Sequence, residues 1–418
     1  MQIRKLSAVV ALATAPTAAL AAPIDVSFTA ATEHSSNPQK VSGGASGRED
    51  SFAVSLAIEE TFGRNVVSAD YTATEVHTTG AAGDNRSSLT GTLSALMPVS
   101  ERLELAASHS AERLTADASA PDTAGNKTSS QTVSLNATYQ PLAPGRTAVN
   151  IRPQYGYSVF TDGEGEDVAT FGLDIEIEHV IDPITILSPY IRATNVHPDV
   201  SERSEYRGAG VRFTRALRQL SYFAEVGWGD TSSPSGVGND GTEFELGAEF
   251  DRATYSVAVD VARSIQATRT QLLPADVAAL LGINSIGVAQ STTDSAHIGV
   301  VLNQVCQRCV VTVDYDHVKQ AFKSVSTNDQ SSTIVAASLN YAFSRSTSGS
   351  LSASQQSTDF ESRAGDNFDQ DNVAASLSYE LAPDFSLRVV AGTETRRSAT
   401  AADSYDEWSL GASLVKSL

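Results

Sequence analysis

Long apolar runs, cysteines and basic residues are all scarce in this chain of 418 residues. After residue 22 there is no run of about 18 apolar residues, which excludes a membrane-spanning helix there. Only two cysteines are present, so a zinc site would need two further ligands, and His297 and His317 are not at ligand spacing. The 29 Lys and Arg residues are outnumbered by 49 Asp and Glu residues. Nucleic acid is therefore excluded as a partner, because its phosphates require clustered basic side chains.

The first 22 residues have the layout of a secretory signal peptide. A basic start at Arg4-Lys5 precedes an apolar stretch over 6–20, and Ala19-Leu20-Ala21 is a small-x-small cleavage site. We predict cleavage after Ala21 or Ala22 and a single mature domain over 23–418. Export without a stop-transfer segment leaves the periplasm, the exterior or the outer membrane of a Gram-negative bacterium. The last of these requires alternating strands instead of apolar helices.

Segments in which apolar and polar residues alternate recur about every 20 residues along the whole chain. In 244–250, for example, Phe244, Leu246, Ala248 and Phe250 alternate with polar residues or glycine, and 255–261 repeats the pattern after a short turn. This period is typical of strands that are apolar on one face only. The sequence therefore predicts an all-β protein, an antiparallel transmembrane β-barrel of about 20 strands (16–20).

The predicted connections between these strands alternate between short and long. The short ones are 63–65, 98–102, 141–145, 218–219, 251–254, 344–345 and 382–384, and the long ones are 33–50, 78–87, 115–130, 230–242, 264–295, 319–331, 357–371 and 396–405. Outer-membrane barrels have short periplasmic turns and longer extracellular loops, whereas a β-sandwich has no reason to keep its two ends different. Pro153 and Pro189 fall inside predicted strands, where bulges or strand ends are expected.

The polar phase of the predicted strands is rich in carboxylates. If the apolar phase faces lipid, the lumen is lined by Glu176, Glu178, Glu225, Glu243, Glu245, Glu249, Asp260, Asp314 and Asp316, opposed by Arg152, Arg212 and Arg388. A wall of one sign enriches counter-ions, so the lumen is expected to favour cations or neutral solutes. A plain solvated face, or ion pairs between strands, is the alternative.

Two local features interrupt the strand rhythm. Residues 272–281 predict a helix that begins at Pro274 and ends before Gly282, either plugging the lumen, capping the mouth or lying on the surface. Cys306 and Cys309 lie in a short turn, and an oxidising compartment predicts a disulfide between them. A redox role is disfavoured because a turn between strands offers no helix N-terminus to activate a thiol.

The amino-terminal third carries a recognisable arrangement of motifs. The strand Val26-Ser27-Phe28 is followed by Asn37-Pro38, a Gly/Ser loop and a strand over 51–62, and then by the Asp70-Tyr71 strand. Over 24–160 this resembles the outer-membrane β-barrel porins found beside exopolysaccharide gene clusters, including clusters associated with PEP-CTERM sorting. The resemblance implies an outer-membrane barrel linked to exopolysaccharide export, and it carries over no catalytic residues.

The sequence thus predicts an outer-membrane channel or porin without cofactors or enzymatic activity. Its expected partners are outer-membrane lipid and lipopolysaccharide, the barrel assembly machinery and polysaccharide export components. One alternative is a non-conducting structural or adhesive barrel whose acidic loops, such as 162–167, bind divalent ions. A less favoured alternative is a barrel-embedded hydrolase, for which His77, His197 and His317 are the candidate histidines because they lie near outer strand ends.

Overall fold

The computed structural model describes residues 24–80, 85–115, 120, 123, 127–141, 146–160, 166–236, 238–271, 286–323 and 329–418. The signal peptide predicted over 1–22 and the helix predicted to begin at Pro274 lie outside these residues. No helix among the described residues is long and apolar enough to cross a membrane.

The described chain is built almost entirely from strands. The twenty strands are β1 (Ile24–Ser35), β2 (Gly47–Phe62), β3 (Asn65–Gly80), β4 (Arg86–Pro98), β5 (Leu103–Thr115), β6 (Lys127–Tyr139), β7 (Thr147–Phe160), β8 (Val168–Asp182), β9 (Thr185–Pro198), β10 (Ser204–Ala216), β11 (Leu220–Ser232), β12 (Gly238–Asp251), β13 (Tyr255–Gln271), β14 (Ile286–Cys306), β15 (Cys309–Phe322), β16 (Gln330–Ala342), β17 (Thr347–Phe360), β18 (Phe368–Ala382), β19 (Phe385–Ser398) and β20 (Tyr405–Ser417). Two short 3-10 helices, Ala364–Asp366 and Ala401–Asp403, lie in connections. The predicted all-β class and the count of about 20 strands are confirmed.

The twenty strands close into a barrel. Each strand pairs antiparallel with its neighbours in sequence, and β1 pairs with β20 from Ser27↔Ser417 to Ser35↔Ser409. Closure leaves no edge strand with a free row of N–H and C=O groups. In hydrocarbon each unpaired group costs several kcal/mol, so a closed sheet is the form in which strands can span a membrane.

The alternation along each strand separates two faces, which we call the apolar face and the polar face. Large apolar side chains on the apolar face are exposed, and among them Trp228 is 51%, Leu246 50% and Phe171 49% exposed. A water-soluble protein buries most such side chains. The described residues form no continuous apolar core, in agreement with a sequence that contains no pattern for one.

The two ends of the barrel differ, as predicted. Turns at one end are as short as 63–64, 183–184, 307–308 and 383–384, and connections at the other include 36–46, 116–126 and 272–285. The predicted loop bounds were too wide, since β13 continues to Gln271 and β14 begins at Ile286 within the predicted loop 264–295. The acidic loop predicted at 162–167 is the connection between β7 and β8, whereas the connection 199–203 was not predicted. Ser, Thr and Gly near these ends weaken the alternation without preventing backbone pairing.

Three long connections share a hydrogen-bonding motif that the sequence analysis missed. The last strand residue is a Phe whose N–H donates to the side-chain oxygen of Asp or Asn seven positions later: Phe160 to Asp167 (3.3 Å), Phe322 to Asp329 (2.6 Å) and Phe360 to Asn367 (2.8 Å). The carbonyl of each Asp or Asn then accepts the N–H of a residue in the following connection, namely Asp199, Glu361 and Ala399. The motif therefore ties each of these loops to the next one around the rim.

The two prolines inside strands behave differently. Between β6 and β7 the pairs between Asn136↔Gln154 and Tyr139↔Ile151 are missing at Pro153, but the register is the same on both sides. Pro189 pairs with Val211 in an unbroken register between β9 and β10. Pro153 therefore interrupts the pairing locally, and the expected bulge or strand end is found at neither proline.

Candidate functional site

The predicted lumen-lining residues all lie on the polar face, but the structure divides them between two regions. Arg152 is on β7, Glu176 and Glu178 on β8, Arg212 on β10, Glu225 on β11, Glu243, Glu245 and Glu249 on β12, Asp260 on β13, Asp314 and Asp316 on β15, and Arg388 on β19. Those on β7 to β12 are largely joined by ion pairs. Among the described residues, the carboxylates on β13 and β15 have no arginine or lysine partner, and Arg388 on β19 forms no ion pair.

An ion-paired network runs across β7 to β9. Nη1 of Arg152 lies 2.7 Å from Oε2 of Glu176 and 3.4 Å from Oδ1 of Asp174, and Nη2 lies 3.9 Å from Oε1 of Glu178. The other oxygen of Asp174 accepts a 2.9 Å hydrogen bond from Nε of Arg192. Three carboxylates on β8 thus lie between one guanidinium group on β7 and another on β9.

The network continues to β12 through Glu225. Oε1 of Glu225 accepts a 3.0 Å hydrogen bond from Nη1 of Arg192, and Oε2 lies 2.9 Å from Nε of Arg212 in an ion pair without a well-aligned hydrogen bond. Nη2 of Arg212 donates to Glu245 at 3.0 Å. We call the whole set the arginine ladder: Glu178, Glu176, Arg152, Asp174, Arg192, Glu225, Arg212 and Glu245.

Glycines in the neighbouring strands make room for a tyrosine within the ladder. Tyr190 lies across Gly210 and Gly227, so a Cβ at these positions would be 2.4 Å and 2.7 Å from its phenol oxygen. The guanidinium carbon of Arg192 lies 4.0 Å from the centroid of the Tyr190 ring. The glycines leave room for the Tyr190 ring, and stacking on that ring holds Arg192 where it reaches both Asp174 and Glu225.

A second region of the polar face is centred on His297. Register places Asp260, His297 and Asp316 in one row across β13, β14 and β15, and Nδ1 of His297 lies 2.7 Å from Oδ1 of Asp316. Among the described residues, Asp260, Asp314 and Glu249 make no side-chain hydrogen bond or ion pair. We call these three the unpaired carboxylates.

The remaining two predicted residues have separate surroundings. Glu243 accepts hydrogen bonds from the hydroxyl of Tyr206 (2.5 Å) and from the N–H of Ile265 (2.8 Å), which bridges β10, β12 and β13. Arg388 borders a recess at the seam between β1 and β20, together with Glu33 and Glu49. Arg388 is therefore remote in the sheet from the arginine ladder.

Hydroxyl pairs line much of the rest of the polar face. On β2 to β7 the pairs are Ser55–Thr72, Ser68–Ser94, Ser108–Ser134 and Thr132–Ser158, with oxygen–oxygen distances of 2.8, 2.7, 2.6 and 2.8 Å. On β16 to β18 they are Ser332–Thr358 at 3.1 Å and Ser350–Ser376 at 2.7 Å. These hydroxyl pairs make the polar face hydrophilic between its scattered carboxylates, such as Asp70 on β3 and Glu104 on β5.

The connection 36–46 contributes to a charged cluster at the seam that was not predicted from the sequence. Lys40 ion-pairs with Glu394 (2.9 Å) and Glu407 (3.9 Å), on β19 and β20. Backbone bonds from Ser36 to Trp408 and from Ser42 to Ala402 attach the same connection to the sheet. No sequence signal indicates that a lone lysine in a polar loop folds back onto the wall.

The histidines proposed for a hydrolase do not form one site. His77, His197 and His317 lie on β3, β9 and β15, so consecutive members are six strands apart. At about 4.8 Å per strand this is roughly 29 Å along the wall, too far for a shared reacting group. Among the described residues, no three His, Cys, Asp or Glu side chains are arranged to hold a metal ion.

Two further groups lie at opposite ends of the barrel. The Sγ atoms of Cys306 and Cys309 are bonded to each other at the turn between β14 and β15. The oxidised state of the isolated protein stays a prediction.

At the other end of the barrel, hydrogen bonds from Ser235 to Glu202 link the connections 199–203 and 233–237. These hydrogen bonds also hold the pKa of the Glu202 carboxyl below its usual range.

Comparison with known proteins shows the fold. No protein-family model matches the chain, and no curated protein is similar to it in sequence. The siderophore receptor PiuA from Acinetobacter baumannii is similar with a TM-score of 0.57 at 10% identity, over 95% of this chain and 82% of that one. The ferric enterobactin receptor PfeA from Pseudomonas aeruginosa, in a mutant form, gives 0.54 at 9% over 95% and 80%, and the copper transporter OprC gives 0.51 at 9% over 95% and 80%. The chain therefore has the closed antiparallel barrel fold of outer-membrane proteins.

Proposed function

We propose that the chain is an outer-membrane channel of a Gram-negative bacterium that passes small hydrophilic solutes and prefers cations and neutral solutes to anions. The observation that carries this proposal is the segregation of the two faces around a closed sheet. Exposed apolar side chains such as Trp228 and Leu246 occupy one face, and the arginine ladder occupies the other. Such a wall suits hydrocarbon outside and water inside.

The membrane location rests on the apolar face and the predicted signal peptide. Exposed large apolar side chains recur on strands all around the sheet, for example Phe52, Phe171, Leu246, Leu351 and Leu410. A continuous apolar surface of this kind would drive association in water, whereas lipid chains cover it without cost. We expect outer-membrane lipid, lipopolysaccharide and the barrel assembly machinery as partners.

The expected selectivity follows from the charges of the polar face. The arginine ladder contains five carboxylates and three arginines, and the unpaired carboxylates add negative charge that no arginine offsets. A lumen with this excess enriches cations and repels anions. The hydroxyl pairs offer donors and acceptors to uncharged polar solutes, which favours neutral solutes as well.

Conductance and reversal potential test the proposal directly. Refolded protein in a planar bilayer under a potassium chloride gradient is expected to conduct with cation preference. The double variant Asp260→Asn/Asp314→Asn should lower the cation-to-anion permeability ratio. Its matched control is Asp50→Asn/Asp406→Asn, which changes the charge equally at exposed carboxylates of the opposite phase (44% and 70% exposed) and should leave the ratio unchanged. Anion preference would contradict the assignment of the polar face to the lumen.

A structural or adhesive barrel remains the second candidate, to be preferred if refolded protein shows no channel activity. The local geometry argues against ion binding by the acidic loop that this candidate requires. Glu166 is 2% exposed and accepts the N–H groups of Val200 (3.1 Å) and Ser201 (2.6 Å), while Asp167 accepts the N–H of Phe160. These carboxylates already serve the loop and are poorly placed to bind divalent ions.

Exopolysaccharide export is a finer version of the channel proposal. It is supported by the resemblance over 24–160 and would make polysaccharide export components partners of the barrel. The carboxylates of the polar face oppose an anionic polymer, so the expected cargo is neutral. Chain-length regulators and glycosyltransferases encoded beside the gene, together with loss of surface polysaccharide on its deletion, would support export. Normal surface polysaccharide in the deletion strain would leave a general porin.

A further inference from the structure

The charged cluster at the seam holds a side-chain ammonium inside a set of acceptors. Nζ of Lys40 lies 2.9 Å and 3.0 Å from the two carboxylate oxygens of Glu394 and 3.9 Å from Oε2 of Glu407. It also lies 5.8 Å from the centroid of the Tyr405 ring. The side chains of Lys40, Glu394 and Glu407 are only 15%, 15% and 11% exposed. The ammonium group is thus surrounded by two carboxylates and an aromatic face.

These acceptors are positioned by contacts that do not involve Lys40. Glu394 accepts hydrogen bonds from the hydroxyl of Tyr405 and from Nε2 of Gln370 (3.0 Å), and Glu407 accepts one from the hydroxyl of Ser35. Strands β1, β18, β19 and β20 therefore build the pocket from the wall itself. Charge-assisted hydrogen bonds and a cation–π contact are together the chemistry that recognises an organic ammonium ion.

Lys40 itself comes from a connection and not from the wall. Its φ of 52° is in the left-handed region that residues other than glycine seldom adopt. The connection 36–46 is attached to the β19–β20 hairpin by few backbone bonds, at Ser36 (3.0 Å) and Ser42 (3.3 Å). The charge of Glu33 adds to the negative field at Glu407, so carboxylates outnumber the one lysine. The ammonium therefore comes from a connection with few backbone bonds to the wall, whereas its acceptors belong to the strands themselves.

We propose that Glu394, Glu407 and Tyr405 form a binding site for the ammonium group of an organic solute, and that Lys40 is its internal occupant. A solute that carries a primary ammonium displaces Lys40 and releases the connection 36–46 from the pocket. That such solutes then pass through the barrel rests on the proposed channel function. Binding at the pocket does not depend on it.

A variant without the internal occupant tests the site. Lys40→Ala, checked for folding by its heat-dependent migration on gels, should bind n-butylammonium saturably in detergent solution, measured by calorimetry. We expect at least tenfold tighter binding than in the unaltered protein, where Lys40 competes. Adding Glu407→Gln to this variant should weaken the binding again. The matched control is Lys319→Ala, because Lys319 forms an exposed pair with Glu361 (2.7 Å, 48% and 51% exposed) and leaves no pocket behind.

A second measurement uses the unaltered protein, in case Lys40→Ala fails to fold. Proteolysis within 36–46 should be at least threefold faster in n-butylammonium than in an equal concentration of sodium, because displacement frees the connection. Equal cleavage in the two salts overturns the proposal. So does binding by folded Lys40→Ala that is no tighter than that of the Lys319→Ala control. Absence of conductance would instead contradict the channel function, while binding in detergent still decides the site.

Discussion

Arg192 on β9 and Glu225 on β11 are joined across the intervening strand β10, with Nη1 3.0 Å from Oε1. The contact is possible because β10 presents Gly208 and Gly210 at the facing polar positions. Glu225 is only 9% exposed and contacts two arginines, Arg192 and Arg212. Arg192 therefore connects the two halves of the arginine ladder, and its removal tests the ladder as a unit.

Replacing Arg192 by methionine should destabilise the barrel and increase its cation preference. The change leaves Glu225 with Arg212 alone and Asp174 with Arg152 alone. The expected cost is about 1–3 kcal/mol, less than for a fully buried pair because the Arg192 side chain is 39% exposed. Heat-dependent gel migration measures the first effect and reversal potential the second. Arg397→Met is the control, since its pair with Asp406 is exposed on both sides (59% and 70%) and should contribute little. An unchanged unfolding temperature in Arg192→Met would show that the ladder does not stabilise the wall.

Adding one methyl group at Gly210 should disturb the packing of Tyr190. The new Cβ would lie 2.4 Å from the Tyr190 hydroxyl and 2.6 Å from the Val226 carbonyl oxygen, and the latter belongs to the backbone and moves little. We expect Gly210→Ala to cost about 1–3 kcal/mol, the usual range for overpacking. Gly365→Ala is the control, because nothing lies within 4 Å of its added Cβ. Equal unfolding temperatures for the two variants would contradict the packing account.

The architecture was predictable because apolar and polar residues alternate along the strands, and a closed sheet is the form in which such strands can span a membrane. The phase of Phe244 to Phe250 indicates which side chains share a face, and in the structure Glu225 and Glu245 are paired directly across β11 and β12. Partners could not be predicted, because they depend on which strands are adjacent and on which neighbours are glycine. Arg192 reaches Glu225 only over β10, and Lys40 reaches Glu394 only because its connection folds back. Both contacts join residues far apart in sequence.

The loop motif in which a Phe N–H donates to an Asp or Asn side chain could not be predicted, for a different reason. Phe160, Phe322 and Phe360 are each followed after six residues by Asp or Asn, but the intervening residues share no pattern and were interpreted as ordinary polar loops. The motif becomes evident only once the backbone N–H of each Phe is seen to donate to a side chain. Its contribution can be measured at a single amide.

Removing one Asx side chain should loosen one loop without affecting the sheet. In Asp329→Ala the N–H of Phe322 loses its 2.6 Å acceptor, whereas the main-chain bond from Glu361 remains. A lost hydrogen bond of about 1 kcal/mol predicts roughly fivefold faster exchange of the Phe322 amide. Asp371→Ala is the control, because Asp371 is exposed and bonds no described side chain. Unchanged exchange at Phe322 would mean that the contact does not restrain the loop.

The turn between β14 and β15 gives the last prediction. Cys306 and Cys309 are bonded to each other, and the proposed outer-membrane location would place their folding in a compartment where such bonds persist. Mature protein unfolded in denaturant should therefore react with no thiol reagent until it is reduced, and with two equivalents afterwards. Denaturant is needed because Cys309 is only 5% exposed, so burial alone would hide a free thiol in the folded barrel. Cys306→Ser should label at Cys309 without reduction and still fold, since the barrel is closed by strand pairing between β1 and β20 and not by the disulfide. Two equivalents of label before reduction would show that the turn is held by backbone pairing alone.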